Sequence, residues 1–182
     1  MKSNRKRNRW VVVAATVLVL ALVNGAIWQK ERHLAEGDIV YLELAPVDPR
    51  SLIQGDYMAL NFTLGNQIHS ALFQQDAVRQ AEPQQASNGY VVVRLDEQRI
   101  AHFQRLDDGS ALANDERRLR YRLRHGQVRF ATDAFFFQEG HAERYEPARY
   151  GQFRVNSQGE PLLVALYDTA LNRLGATRPA AP

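Results

Sequence analysis

The chain has 182 residues, enough for one domain and an anchor, with 23 lysines and arginines against 20 aspartates and glutamates. The excess positive charge lies in residues 1–9, which carry five basic side chains and no acid, whereas 18 basic side chains stand against 20 acidic ones from Gln29 onward. Nucleic-acid binding therefore loses its main support, and the absence of cysteine excludes disulfides, lipid-modified cysteine and thiolate chemistry.

An uncharged run from Trp10 to Trp28 predicts a transmembrane helix. As a helix these residues span about 28 Å, close to the roughly 30 Å thickness of a bilayer's hydrocarbon core. The basic residues 1–9 predict a cytoplasmic N-terminal tail, with the rest of the chain across the membrane. A cleaved signal peptide is the alternative, but the apolar run exceeds the usual length of about 7–15 residues, and Asn24-Gly25-Ala26 is a poor cleavage site. We expect an uncleaved single-pass anchor that contacts the lipid bilayer through residues 10–28.

The chain after the anchor begins with elements of both kinds. Residues 29–37 are predicted to continue the helix as a polar collar, with Gly37 as its stop, and residues 38–175 to form the exported domain. Alternating apolar residues predict a strand over Ile39–Leu44, followed by a Pro-containing loop over Ala45–Ile53. Further elements are a strand over Tyr57–Leu64, a helix over Gln67–Gln80 with Ile68, Leu72 and Val78 toward the core, and a polar loop over Glu82–Gly89.

The second half of the chain is rich in strand patterns. We predict one hairpin from Tyr90–Leu95 and Arg99–Leu106, strands over Arg118–Arg124 and Val128–Thr132, a final hairpin from Gln152–Val155 and Leu162–Tyr167, and a disordered tail over residues 176–182. The predicted fold class is α+β: a single N-terminal transmembrane helix followed by one β-rich, mainly antiparallel domain with one or two short helices.

The most distinctive stretch is Val47–Phe62, which contains Gly55-Asp56-Tyr57-x-x-Leu60-x-Phe62. This motif resembles the one that names the GDYXXLXY family of membrane-anchored bacterial proteins, except that Phe62 stands where tyrosine is expected. The preceding Val47–Leu52 and the later aromatic segment Ala134–Gly140 are also similar to segments of that family. The resemblance covers nearly the whole chain.

The resemblance implies a protein of the bacterial inner (cytoplasmic) membrane, held by one N-terminal helix. It implies a periplasmic domain of no established biochemical activity, and an association with a multi-pass membrane protein as partner.

The residues of the motif allow two interpretations. Gly55 can adopt a positive φ where the chain turns into a strand, and Asp56 can accept backbone N–H groups across that turn, which makes the motif a turn that enters a core strand. Alternatively, the motif is a ligand or partner site. The residues of that candidate site are Asp48, Arg50, Gly55, Asp56 and Tyr57.

No catalytic set is evident in the sequence. A Ser–Lys protease needs a lysine beside its serine, but the lysines are Lys2, Lys6 and Lys30, in or beside the anchor. Ser51, Ser70 and Ser110 could pair with His69, His102, His125 or His141, yet no Gly-x-Ser-x-Gly elbow supports such a site. Glu139 and His141 form only a weak candidate pair for a metal, and no nucleotide-binding loop is present. We predict no catalytic residues, no metal and no cofactor.

An alternation of arginine with apolar residues marks the strand predicted over Arg118–Arg124. Arg118, Arg120, Arg122 and Arg124, which we call the arginine comb, would share one face of the strand at a spacing of about 6.5–7 Å. The comb could bind anionic lipid, a polyanion or an acidic partner. It could instead be a solvated face paired with acids across the sheet, such as Asp96, Glu97, Asp107 and Asp108.

The leading hypothesis for function is therefore a non-enzymatic accessory domain that docks on an integral membrane protein. The rival is an exported hydrolase or small-ligand-binding protein that uses the cleft around the motif.

Overall fold

A computed structural model describes residues 2–45, 53–54, 57–79 and 86–175. The chain divides into two compact units, Met1–Gly37 and Asp38–Pro182. The predicted disordered tail, most of the loop over Ala45–Ile53 and the Gly55-Asp56 turn lie outside the described residues.

The first unit is a single helix, α1, over Lys2–Glu36. Its segment Trp10–Glu36 is long and apolar enough to cross a membrane, and none of the 18 most apolar consecutive residues is buried within the protein. The Asn24 side-chain amide donates to the Leu20 carbonyl at 2.8 Å, so the helix itself satisfies one of the few polar groups in the run. Past Trp28 the helix continues to Glu36, and the Gly37 N–H donates to the His33 carbonyl at 3.0 Å.

The second unit contains ten strands, one α-helix and one short 3₁₀ helix among its described residues. In chain order they are β1 (Asp38–Glu43), β2 (Ile53–Gln54), β3 (Tyr57–Ala59), α2 (Thr63–Arg79), β4 (Ala86–Leu95), β5 (Ala101–Leu106), β6 (Glu116–Arg124), β7 (Gln127–Arg129), β8 (Ala134–Phe136), the 3₁₀ helix (Ala142–Arg144), β9 (Tyr150–Val155) and β10 (Pro161–Tyr167). They form three antiparallel sheets with the orders β1-β9-β10, β2-β3-β8 and β5-β4-β6-β7. The predicted fold class is confirmed.

The edges of the first and third sheets meet at one point. An isolated parallel bridge pairs Tyr41 of β1 with Ile100, and the Tyr41 N–H donates to the Arg99 carbonyl at 3.0 Å. Beyond this bridge, no ladder joins β1 to β5 among the described residues. Past the bridge β1 and β5 are therefore not hydrogen-bonded to each other, and a gap lined by Glu43, Ala101 and Thr63 of α2 lies between them.

The core lies between α2 and the sheets. Leu64, Ile68 and Leu72 follow one another at a spacing of four residues, so they share one face of α2, and all three are buried. That face packs against β1, β5 and β7. The alternating residues of β1 (Val40, Leu42) and of β6 (Leu119, Tyr121, Leu123) are buried as predicted.

The boundary between β3 and α2 differs from the prediction. The predicted strand Tyr57–Leu64 is wrong beyond Ala59, because α2 starts at Thr63 rather than at Gln67. Gly65, directly after the predicted strand, lies in the first turn of α2, where an added Cβ would sit 3.4 Å from the Val128 carbonyl oxygen. Val78, predicted toward the core, is 84% exposed.

The start of β4 also differs from the prediction. Ala86–Gly89, predicted as the end of a loop, extend β4 and pair with Tyr121–Arg124 of β6. Gly89 lies opposite Tyr121, and a Cβ on Gly89 would come within 2.5 Å of the tyrosine hydroxyl. A side chain at this position would therefore clash with the Tyr121 ring, which explains a glycine inside a strand. The hairpin of β4 with β5 and that of β9 with β10 are confirmed.

Candidate functional site

Of the five residues predicted as a motif site, the structure describes only Tyr57. Asp48, Arg50, Gly55 and Asp56 lie outside the described residues. Tyr57 is half-buried at the start of β3 and is paired in register with Phe136 of β8. The two rings lie 5.8 Å apart between centroids at an angle of 43°.

The last two positions of the motif belong to the core. Leu60 and Phe62 are almost fully buried. The Phe62 ring makes edge-to-face contacts with Phe130 and Phe153, at centroid distances of 6.1 and 5.4 Å. It also lies so close to Gly151 that a Cβ there would be 3.1 Å from the ring. Phe62 therefore has an aromatic packing role.

The aromatic segment on and after β8 has two sides. Phe135 and Phe137 both contact the Tyr145 ring, at centroid distances of 5.3 and 5.0 Å. Phe136, between them, points the other way because successive strand residues alternate, and its side chain is 73% exposed. An exposed aromatic ring is thus placed directly beside the tyrosine of the motif.

The arginine comb is divided into two halves by its partners. Arg118 forms an ion pair with Asp107 at 2.9 Å, and Arg120 forms one with Glu160 at 2.9 Å. Arg122 and Arg124 are exposed and donate instead to uncharged acceptors, the Ala131 and Ser87 carbonyls among them. Each of the last two guanidinium groups lacks an ion pair among the residues that the structure describes.

Of the four acids predicted to pair with the arginine comb, only Asp107 forms an ion pair with it among the described residues. Asp107 pairs with Arg118, whereas Asp108 accepts from Arg105 at 2.9 Å. Asp96 contacts His102 instead, and it also accepts the backbone N–H groups of Gln98 and Ile100 at the β4–β5 turn. Partial burial alone would raise the pKa of Asp96, but the His102 and backbone hydrogen bonds together hold this pKa below its usual value.

Two of the serines considered for a nucleophilic site donate to acceptors other than histidine. The Ser70 hydroxyl donates to the Asn66 carbonyl at 3.0 Å, and the Ser110 hydroxyl donates to Asp108 at 2.6 Å. Among the described residues there is also no group of three or more side chains that could hold a metal ion. Ser51 lies outside them.

A trough beside α2 was not predicted. Two adjacent cavities, of about 370 and 130 Å³, share Thr63, Gln67 and Phe103 in their walls. The larger cavity is also lined by Asn66, Ser70, Ala71 and Gln74, and the smaller one by Glu43, Leu64, Ala101 and His102. The sequence signal is a stripe of uncharged polar residues at helical spacing. Gln67, Ser70 and Gln74 lie within the predicted helix, whereas Thr63 and Asn66 precede its predicted start at Gln67.

Comparisons with known proteins identify a family. No curated protein and no solved structure gives a significant match to the chain. A family model described as "GDYXXLXY protein" matches residues 19–166. This match covers the end of α1, the motif, α2 and all but the last residue of the strands. The chain therefore belongs to the GDYXXLXY protein family.

Proposed function

We propose that the protein is a membrane-anchored accessory module whose periplasmic domain docks on an integral membrane protein. In this proposal α1 is the anchor in the bacterial inner membrane, with the basic residues 1–9 on the cytoplasmic side. The apolar segment Trp10–Glu36 supports the anchor, and the charge of residues 1–9 supports the orientation.

The observation that carries the docking proposal is the exposed ring of Phe136 beside Tyr57. Phe135 and Phe137 on either side are packed against Tyr145, so the outward position of Phe136 is fixed by its neighbours. A fixed aromatic side chain offers a large contact area at little entropic cost, which is why aromatic residues are common anchors of protein interfaces. Because Tyr57 belongs to the family motif, the proposed contact surface includes a residue of that motif.

Site-specific photocrosslinking in native membranes tests the proposal. We replace Phe136 with p-benzoylphenylalanine in the full chain, irradiate the membranes and identify the products by mass spectrometry. We expect one integral membrane protein to be captured reproducibly at this position.

The control is the same photoreactive residue at Leu112, which is also exposed but lies in the loop between β5 and β6. If position 136 captures no membrane protein, or captures the same mixture as position 112, the docking proposal is wrong. The rival hydrolase or ligand-binding hypothesis at Asp48, Arg50 and Asp56 would then become the leading one.

A further inference from the structure

We propose that the trough beside α2 binds a neutral, polyhydroxylated ligand, that is, a glycan. This inference is independent of the docking proposal, because the trough and the Tyr57–Phe136 surface share no residue.

The trough follows from the way the strands diverge. β1 pairs with Ile100, the residue just before β5, at an isolated bridge, and among the described residues no further pairing closes the gap between β1 and β5. Glu43 lines the gap from β1, Ala101 and Phe103 line it from β5, and Thr63 lies where α2 begins. The larger cavity, about 370 Å³, is within the range of about 300–1,000 Å³ found for small-ligand sites.

The chemistry of the wall matches that of a sugar. One stripe of α2 carries the carboxamides of Asn66, Gln67 and Gln74 and the hydroxyls of Thr63 and Ser70. Carboxamides and hydroxyls both donate and accept hydrogen bonds, as sugar hydroxyls do. Phe103 adds a half-buried aromatic ring, which can pack against the apolar face of a pyranose.

The charges around the trough favour a neutral ligand. Among the described residues that line the two cavities there is no lysine or arginine. The Glu43 carboxylate is paired with Arg149 at 2.8 Å, and the His102 imidazole lies 3.0 Å from Asp96. Neither an anion nor a cation would find an uncompensated opposite charge on the wall residues that the structure describes.

A buried hydroxyl gives independent support. Thr63 Oγ1 is buried and has no hydrogen-bond partner among the residues that the structure describes, although Thr63 lines both cavities. An unsatisfied buried polar group destabilises the folded state. Because Oγ1 itself is closed to solvent, a rotation about χ1 of Thr63 has to turn the hydroxyl toward the trough, where a ligand hydroxyl would provide the missing partner. Binding and stability are then linked through this atom.

The test uses the full chain in phosphatidylcholine nanodiscs, because detergents with sugar headgroups would compete for the trough. Chitotetraose and maltotetraose are the neutral probes, tetragalacturonate is the anionic probe, and binding is measured by isothermal titration calorimetry. We expect at least one neutral probe to bind and tetragalacturonate not to bind.

Two variants identify the site. Gln67→Ala, which alters a residue common to both cavities, should weaken binding about tenfold, as expected for the loss of one hydrogen bond to the ligand. Thr63→Val keeps the side-chain shape but removes the hydroxyl, so it should weaken binding while raising the unfolding midpoint of the ligand-free protein. The matched control is Gln104→Ala on β5, an exposed glutamine outside both cavities, which should change neither.

The opposite results would overturn the inference. If neither neutral probe binds at millimolar concentration, or tetragalacturonate binds more tightly, the trough is not a neutral glycan site. If binding is unchanged in Gln67→Ala and Thr63→Val, the glycan binds elsewhere.

Discussion

At the residue scale, Gly159 joins two sheets. The Gly159 carbonyl accepts the Arg120 N–H at 2.7 Å, and Arg120 also pairs with the neighbouring Glu160. The turn between β9 and β10 is thereby held against β6, while the Asn156 side chain accepts the backbone N–H groups of Gln158 and Glu160 within the turn. At Gly159 φ is +75°, and a Cβ would lie 2.7 Å from the Arg118 carbonyl oxygen.

We predict that Gly159→Ala lowers the free energy of unfolding by roughly 1–3 kcal/mol, because it combines a disfavoured backbone conformation with a clash against backbone. The measurement is pulse proteolysis of the full chain across a urea series. Gly109→Ala is the matched control, since Gly109 has a similar φ of +83° but no atom within 4 Å of the added Cβ. Equal losses in the two variants would show that the contact with Arg118 contributes nothing.

Single residues also determine what the family motif does. Phe62 stands where the family motif has tyrosine, and its contacts with Phe130 and Phe153 give this residue a packing role. Those contacts could not be predicted, because the three residues are far apart in sequence and no local pattern relates them. The absence of cysteine and the alternation of apolar and polar residues in β1, in contrast, can be read directly from the sequence.

At the element scale, most strands were predictable, because alternation with a period of two is a local property. β1, β6 and the β9–β10 hairpin were predicted for this reason. The start of α2 was mispredicted because Leu60, Phe62 and Leu64 fit a strand, while Leu64, Ile68 and Leu72 fit a helix. Packing against β1, β5 and β7 favours the helix, and that packing is not a local property.

In our interpretation, the two halves of the arginine comb have different roles. Arg118 and Arg120 hold ion pairs with acids outside β6, whereas Arg122 and Arg124 have only uncharged acceptors among the described residues. The second half therefore remains our candidate face for an anionic partner.

We predict that Arg122→Gln with Arg124→Gln lowers the yield of the Phe136 crosslink at low salt and has little effect at high salt, because only unpaired charges attract a partner over distance. Lysine at positions 122 and 124 should restore most of the yield. An unchanged yield in the Arg122→Gln, Arg124→Gln variant would identify the comb as a solvated face.

Arg118→Gln with Arg120→Gln should instead lower the free energy of unfolding by roughly 0.5–1 kcal/mol, since both pairs are partly exposed.

At the scale of the whole molecule, the orientation of the chain in the membrane is open to a direct test. The protein contains no cysteine, so a single introduced cysteine is the only site for a thiol reagent. Ser110 is exposed in the loop between β5 and β6, and Ser3 precedes the apolar run.

We predict that Ser110→Cys reacts with a membrane-impermeant maleimide in intact spheroplasts, while Ser3→Cys reacts only after the membrane is permeabilised. The expected pattern follows from the basic residues 1–9, which favour retention of the N-terminus in the cytoplasm. Labelling is read as a mass shift on a gel. The reverse pattern would place the domain in the cytoplasm and remove the basis for a periplasmic partner.

The pairing of β1 with β9 has a consequence for biosynthesis. Asp38 pairs with Val155, so the first strand of the domain to be synthesised has its ladder partner near the end of the chain. At roughly 5–20 residues per second, the ribosome needs on the order of ten seconds to reach that partner after β1 has been made. During this interval the apolar side chains of Val40 and Leu42, which end up fully buried, have no sheet to enter. Completion of the domain therefore waits until β9 has been made, and a nascent chain that stalls before β9 would present an unpaired, aggregation-prone strand to the quality-control proteases of the cell.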